Sequence, residues 1–389
     1  MSIGGRLHRR DVIAGLGAAA AITALPWQRA HADAPSLEAT AKAGRLFYGA
    51  AIQDGQLRKD DAFAALVAAQ CGVVVPEWEM KWAAIEHRQG RRNFARADAI
   101  RDFATRHSLK IRGHALIWHR SIPEWATEAF ANGNGWTFVH DHIAAMLTRY
   151  GGAPFIHWDV LNEVIEPKQG RADGLRISPF LKAFGPDYIE RALRLARDSA
   201  PATRLYINEY GVDYDGRTER DRRAALLRLV QQMKSKGVPL DGVGIQAHLR
   251  LDGSPFSAAG LRRFLSDVAA SGVRITITEL DVRERDLTPP IAARDARVSD
   301  EVKRYLDVVL QEPALEGVVT WGLSDRYSWL TSAAVRAQGT VNRGLPFDSN
   351  LAPKPVRNTI VATLAQRKSA EPKAQAPRDA TQAAPPQAQ

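Results

Sequence analysis

Two glutamates, Glu163 and Glu279, each close an apolar run and stand among amides, imidazoles and indoles. The run Ile156 to Glu163 ends in Asn162-Glu163, and Arg274 to Leu280 carries Glu279, with Asp281 just beyond. Two carboxylates flanking one bond are what glycosidic hydrolysis needs: one protonates the leaving oxygen, and the other attacks the anomeric carbon or activates water. Other apolar runs end in similar groups: Glu77; His114, Trp118 and His119; Asn208, Glu209 and Tyr210; Gln246 and His248; Trp321. Flat indole faces beside hydrogen-bonding groups suit a pyranose ring, which offers C–H surface to the ring and hydroxyls to the amides. Metal chemistry is disfavoured, because His114 and His119 lack the H-E-x-x-H arrangement and no cysteine pair exists. The two-carboxylate chemistry itself requires no metal and no organic cofactor. The structural alternative treats Glu163 as a helix N-terminal carboxylate, Glu279 as an arginine partner and each histidine or tryptophan as a core residue.

The elements that must position these groups alternate along the chain. Strands are expected at Leu46 to Ile52, Val73 to Glu77, Lys110 to Ile117, Ile156 to Glu163, Arg204 to Tyr210, Val243 to His248, Arg274 to Leu280 and Gly317 to Leu323. Helices are expected at Asp60 to Gln70, Ala95 to Ser108, Thr137 to Tyr150, Pro179 to Ser199, Glu219 to Lys236, Ser257 to Ala270 and Asp295 to Leu310, with a last one after Pro353. Eight βα units predict a single (β/α)8 TIM barrel, an α/β fold with a parallel sheet. Glycines at Gly237 and Gly272 sit where helix C-caps are expected. Polar or aromatic groups gather at the C-terminal end of seven of the eight strands, the first offering only Asp54. In a barrel that face carries the active site.

The chain has 389 residues, one cysteine (Cys71) and a formal charge of +10. One cysteine excludes an intramolecular disulfide framework. Arg9-Arg10-Asp11, the apolar run Val12 to Leu25 and Ala30-His31-Ala32 together read as a signal peptide over residues 1–32, and the paired arginines suggest the twin-arginine route. The apolar run is short for a span of ~20 residues. An exported protein, periplasmic or secreted, is expected, with no membrane association after cleavage. The leader holds Arg6, Arg9, Arg10 and Arg29 against Asp11, so its removal leaves +7. That surplus is dispersed, as in Arg217 to Arg223 with Glu219 and Asp221 interleaved, which argues against a nucleic-acid footprint. Residues 40–366 form the expected catalytic domain. Residues 367–389, rich in Ala, Pro and Gln, read as a disordered tail. No repeat or attached binding module is visible, and a monomer is expected.

Seven segments complete the picture: Glu77-Trp78-Glu79-Met80-Lys81-Trp82, His114-Ala115-Leu116-Ile117-Trp118-His119, Trp158-Asp159-Val160-Leu161-Asn162-Glu163, Tyr206-Ile207-Asn208-Glu209-Tyr210, Gly244-Ile245-Gln246-Ala247-His248-Leu249, Ile277-Thr278-Glu279-Leu280-Asp281 and Thr320-Trp321-Gly322-Leu323-Ser324-Asp325. In this order they resemble glycoside hydrolase family 10, the retaining endo-β-1,4-xylanases, from about Gly49 to about Lys354. The resemblance implies Glu163 as general acid and then base, and Glu279 as the nucleophile that forms a glycosyl-enzyme. It also implies that Asn162 holds a sugar 2-hydroxyl and that His248 with Asp281 orients Glu279 and keeps it ionised. Once Glu279 is esterified its charge is gone, so Glu163 gives up its proton more readily and serves as base. Glu77, Lys81, His114, Trp118, His119, Tyr210, Gln246, Trp321 and Trp329 are expected to bind a polysaccharide, xylan or a related β-glycan. Trp125 and Trp136 lie outside the motifs and are expected to be structural.

Three positions depart from the family pattern: Trp78 replaces an asparagine, Ser121 a glutamine and Leu330 an arginine. All three are expected on the side that holds the non-reducing sugars. An indole has one donor and a large apolar face where an amide has two donors and an acceptor. An altered glycone subsite is therefore expected, and with it the alternative of the same retaining chemistry on another β-glycan or on short xylooligosaccharides. A non-catalytic polysaccharide-binding protein is the further alternative, opposed by the presence of both glutamates.

Overall fold

The structure, a computed structural model, describes residues 35–133, 135–331 and 340–367. The expected signal peptide and all of the expected tail except Arg367 lie outside the described residues. Arg367 itself is docked, donating to the carbonyls of Glu312 and Leu315.

Runs such as Val73-Val74-Val75 and the Ile275 and Ile277 positions are β-branched and wholly buried, the pattern of strands covered on both faces. The strands are β1 (Phe47–Ile52), β2 (Val73–Pro76), β3 (Lys110–Gly113), β4 (Ile117–Trp118), β5 (Phe155–Asn162), β6 (Arg204–Glu209), β7 (Gly242–Ile245), β8 (His248–Leu251), β9 (Arg274–Glu284) and β10 (Leu315–Thr320). Eight of them pair side by side in the order β10-β1-β2-β3-β5-β6-β7-β9, and β9 pairs with β10 to close the ring. Every one of these pairings is parallel. This is the expected single (β/α)8 barrel. Helices cover it outside. The helix Tyr188–Ser199 buries Tyr188, Ile189, Ala192, Leu193 and Ala196 on one face, while Arg191, Arg194 and Asp198 point to solvent. Ser178 and Ser257 cap their helices by accepting from Leu181 N and Gly260 N.

The boundaries depart from expectation where local chemistry overrides hydrophobic pattern. The third strand stops at Gly113 and resumes only as β4, which pairs with β5. The helix expected over Pro179 to Ser199 is two, Pro179–Phe184 and Tyr188–Ser199. Gly185, at φ +66, ends the first, and Pro186 cannot continue it. The sixth run likewise breaks at Ala247, φ +59, so His248 begins a separate strand that extends β9 past the barrel rim.

Inside the barrel, Arg112 is buried and forms a two-pronged ion pair with Asp159. His114 Nδ1 donates to the same carboxylate at 2.8 Å. At the base, Glu316 accepts from Tyr206 Oη at 2.5 Å and lies 3.3 Å from His157 Nε2. The interior is thus filled by side chains from base to rim, as barrels of this size require.

Candidate active site

The parallel register of β8 and β9 sets His248 beside Asp281, with Glu279 two residues earlier on the same face of β9. The imidazole therefore reaches both acids. His248 Nδ1 donates to Asp281 Oδ1 at 2.9 Å, and Nε2 to Glu279 Oε2 at 3.0 Å. Burial opposes a charge on His248, but the two carboxylates at its nitrogens overcome it and hold the imidazolium well above the usual histidine range. Burial also opposes a charge on Glu279. The hydrogen bond and charge of His248, the charge of His114 and the amide of Asn208 nevertheless bring it from 4.5 down to about 2. Asn208 Nδ2 donates to Glu279 Oε1 at 2.7 Å and to Asn162 Oδ1 at 2.9 Å, while its own Oδ1 accepts from Thr278 Oγ1 at 2.7 Å. Gly244 makes room for this amide: a Cβ there would stand 2.2 Å from Asn208 Oδ1.

Glu163 leaves β5 by one residue. Its N–H still donates across the ladder to Asn208 O at 2.9 Å, and its φ of +60 then turns the chain away. A non-glycine residue in that region costs about 1–3 kcal/mol and is met mainly at functional sites. Arg176 Nε holds the Glu163 carbonyl at 2.6 Å, and its Nη2 donates to Tyr210 Oη at 3.0 Å. Gln246 Nε2 lies 3.4 Å from both Glu163 Oε1 and Asn162 Oδ1. Next to it, burial, against the pull of Arg222 and with the charge of Glu163, pushes Glu209 up to about 8.

A cavity of about 560 Å³ opens at the C-terminal face and is lined by both glutamates. Each expected sugar-binding residue borders it: Glu77, Lys81, His114, Trp118, His119, Asn162, Tyr210, Gln246, Trp321 and Trp329. His248 borders it too, with Asp281 behind. Lys81 Nζ sits 4.2 Å from the Trp118 ring centre, 5.6 Å from that of Trp78 and 5.8 Å from that of Trp321. Burial pulls Lys81 down and pushes Glu77 up from their ordinary values. Trp329 does more than line the wall, since its Nε1 donates to Asp281 Oδ2 at 2.7 Å. Among the described residues Glu163 caps no helix and Glu279 has no arginine partner, so the structural alternative for the pair does not describe them. Among the described residues no group of three or more His, Cys, Asp or Glu is arranged to hold a metal ion, and no helix is long and apolar enough to cross a membrane.

Some expectations are corrected. Of the three departures from the family pattern, Trp78 lines the cavity, while Ser121, which is buried, and Leu330 do not border it. The first strand contributes Gln53 rather than Asp54, which is turned inward to Arg58 at 2.8 Å. The expected catalytic and sugar-binding sets omit Asn208, Arg120 and Arg176. Asn208 lies inside a quoted motif, whereas the two arginines stand in loops with no spacing signal. Trp125 and Trp136 are structural: Trp125 packs edge-on against Trp82 and donates to Glu86 O at 3.0 Å, and Arg191 covers Trp136 at 3.8 Å. A second depression, between helices Arg217–Ser235 and Ala258–Ala270, lacks convergent functional groups beyond Lys234 and Asp267.

Comparison with known proteins places this geometry in context. The sequence profile of glycosyl hydrolase family 10 matches residues 36–363. The chain is 33% identical over 324 residues to endo-1,4-beta-xylanase C of Phanerodontia chrysosporium, covering 82% of this chain and 76% of that one. It is 33% identical over 322 residues to endo-1,4-beta-xylanase 3 of Hypocrea jecorina, covering 82% and 83%. Among solved structures, xylanase 10B from Thermotoga petrophila in complex with xylobiose superposes with a TM-score of 0.75 at 28% identity, over 86% of this chain and 98% of that one.

Proposed function

Because the chain belongs to glycosyl hydrolase family 10, we propose that it is an exported endo-β-1,4-xylanase that cuts internal bonds of xylan with retention of configuration. The carrying observation is the contrast between its two glutamates in one cavity. Glu279 is held ionised by a charged imidazole and an amide, one at each oxygen, while Glu163 stands at the cavity wall beside the amide of Gln246.

In the first step Glu163 gives its proton to the glycosidic oxygen as the bond to the anomeric carbon breaks, and Glu279 forms an ester to that carbon from the opposite face. The aglycone leaves as an alcohol. In the second step a water loses its proton to Glu163 and its oxygen displaces Glu279, restoring both carboxyl groups. Asn162, fixed by Asn208, presents its amide for a sugar hydroxyl next to the reacting centre. Trp118, Trp321 and Trp329 offer ring faces to the sugars.

The test follows the anomer released first from xylan by proton NMR, in wild type, Glu279→Ala and Glu163→Ala. Early β-anomer from wild type, an inactive Glu279→Ala and a Glu163→Ala active only on aryl glycosides with acidic leaving groups support the roles. Early α-anomer refutes them. A second reading, the same mechanism on another β-glycan or on short oligosaccharides, rests on Trp78, whose half-open indole borders the cavity. Faster cleavage of β-glucan than of xylan would favour it.

A further inference from the structure

The cleft lining includes a guanidinium that no acid among the described residues pairs with. Arg176 is committed to Glu163 O, Tyr210 Oη and, at 3.5 Å, Glu166 Oε2. Arg120, in the turn after β4, lines the cavity, is exposed and makes no hydrogen bond or ion pair to any described residue. His119 lies between them electrostatically. Burial above all, and after it the charges of Arg176 and Arg120, drive His119 down to about 4, so both guanidiniums act on this imidazole. Its Nδ1 is buried and has no hydrogen-bond partner.

A neutral polysaccharide presents hydroxyls and C–H faces, and neither calls for an unpaired guanidinium. A carboxylate does, because the planar fork of arginine matches its two oxygens. We propose that Arg120, backed by Arg176 and His119, forms a subsite for the carboxylate of a uronic acid carried as a side group on the polysaccharide chain. Resting on the xylanase reading, the subsite would let the enzyme prefer backbone bonds next to an acidic branch. The side group enters from solvent, consistent with the exposure of Arg120, and its carboxylate meets the cation at the cleft mouth while the backbone stays on the indoles.

The test compares kcat/KM on xylan substituted with glucuronic acid and on the same polymer after reduction of its carboxyl groups to primary alcohols. An ion pair open to solvent contributes about 0.2–1 kcal/mol, so the wild-type ratio of acidic to reduced substrate is expected to be up to about fivefold at low ionic strength. In Arg120→Gln, and in wild type at high salt, the ratio should fall to near unity, with Arg120→Lys intermediate. A wild-type ratio of one, or a ratio that Arg120→Gln leaves unchanged, overturns the proposal while cleavage of the reduced polymer upholds the xylanase reading. Failure to cleave either polymer overturns both.

Discussion

Replacing His248 by glutamine isolates what its charge does for Glu279. The imidazolium donates to Glu279 Oε2 at 3.0 Å and, with Asn208 and His114, lowers that carboxyl from 4.5 to about 2. At 1.36 kcal/mol per pKa unit this favours the carboxylate by about 3 kcal/mol. Glutamine retains one N–H donor and loses the charge. Burial, the largest single influence on a carboxyl only 5% exposed, then acts with less opposition. A nucleophile must be ionised, so rate falls as pH drops through its pKa. In wild type that acid limb is expected near pH 2, where Glu279 takes up its proton. In His248→Gln it should rise by about two pH units or more. The stability linkage has the same sign: a depressed carboxylate stabilises the fold above its unfolded pKa of 4.5, and the contribution is lost as pH falls toward about 2. The assay is kcat/KM on a xylooligosaccharide across pH, with circular dichroism at each point to confirm folding. Acid limbs that coincide in the two proteins would refute the role given to His248.

Three further outcomes follow from the geometry. Trp329→Phe keeps a ring on the cleft wall but removes the 2.7 Å bond to Asp281, so kcat should fall about fivefold for a lost bond worth about 1 kcal/mol; steady-state kinetics showing only a KM change would contradict this. Trp78→Asn should alter rates on xylotriose and longer xylooligosaccharides while leaving aryl xylosides, which place only one sugar on the non-reducing side of the cleaved bond, less affected, and unchanged rates on the longer series would remove Trp78 from substrate contact. Glu209 is pushed up to about 8, so its contribution to stability is full below 4.5 and is lost as pH rises toward 8. Glu209→Gln should therefore gain in melting temperature over wild type as pH climbs through that window, and a constant difference across it would be the contrary result.

Much of this was legible in the chain. Eight apolar runs separated by amphipathic ones permit few arrangements other than a closed parallel barrel, and in such a barrel strand ends meet in space. Glu163, Glu279 and the aromatic wall could thus be placed together from sequence. What was hidden depends on turns and loops. The break after Gly113 and the kink at Ala247 interrupt apolar runs that periodicity alone reads as continuous. The split at Gly185-Pro186 was marked by a breaker pair that the long amphipathic pattern outweighed. Gln53 and Asp54 are neighbours, and only the local turn decides which side chain faces the cleft. Arg120 and Arg176 come from segments without periodic pattern, and nothing in their spacing shows that folding brings both to the lining of one cavity.

Asp281 is shared. One of its oxygens accepts from His248, which holds Glu279 ionised, and the other accepts from Trp329, an indole 46% exposed at the cavity wall. Two properties usually treated as separate, which sugars a cleft tolerates and over what pH it works, therefore meet at a single side chain. A selection for broader specificity that trades Trp329 for a smaller residue would drag the acid limb with it. A selection for acid tolerance acting on Asp281 would in turn loosen the wall. Variants improved along one axis should cluster along a line with the other, and breaking that correlation requires giving Trp329 or His248 a new partner before either is replaced.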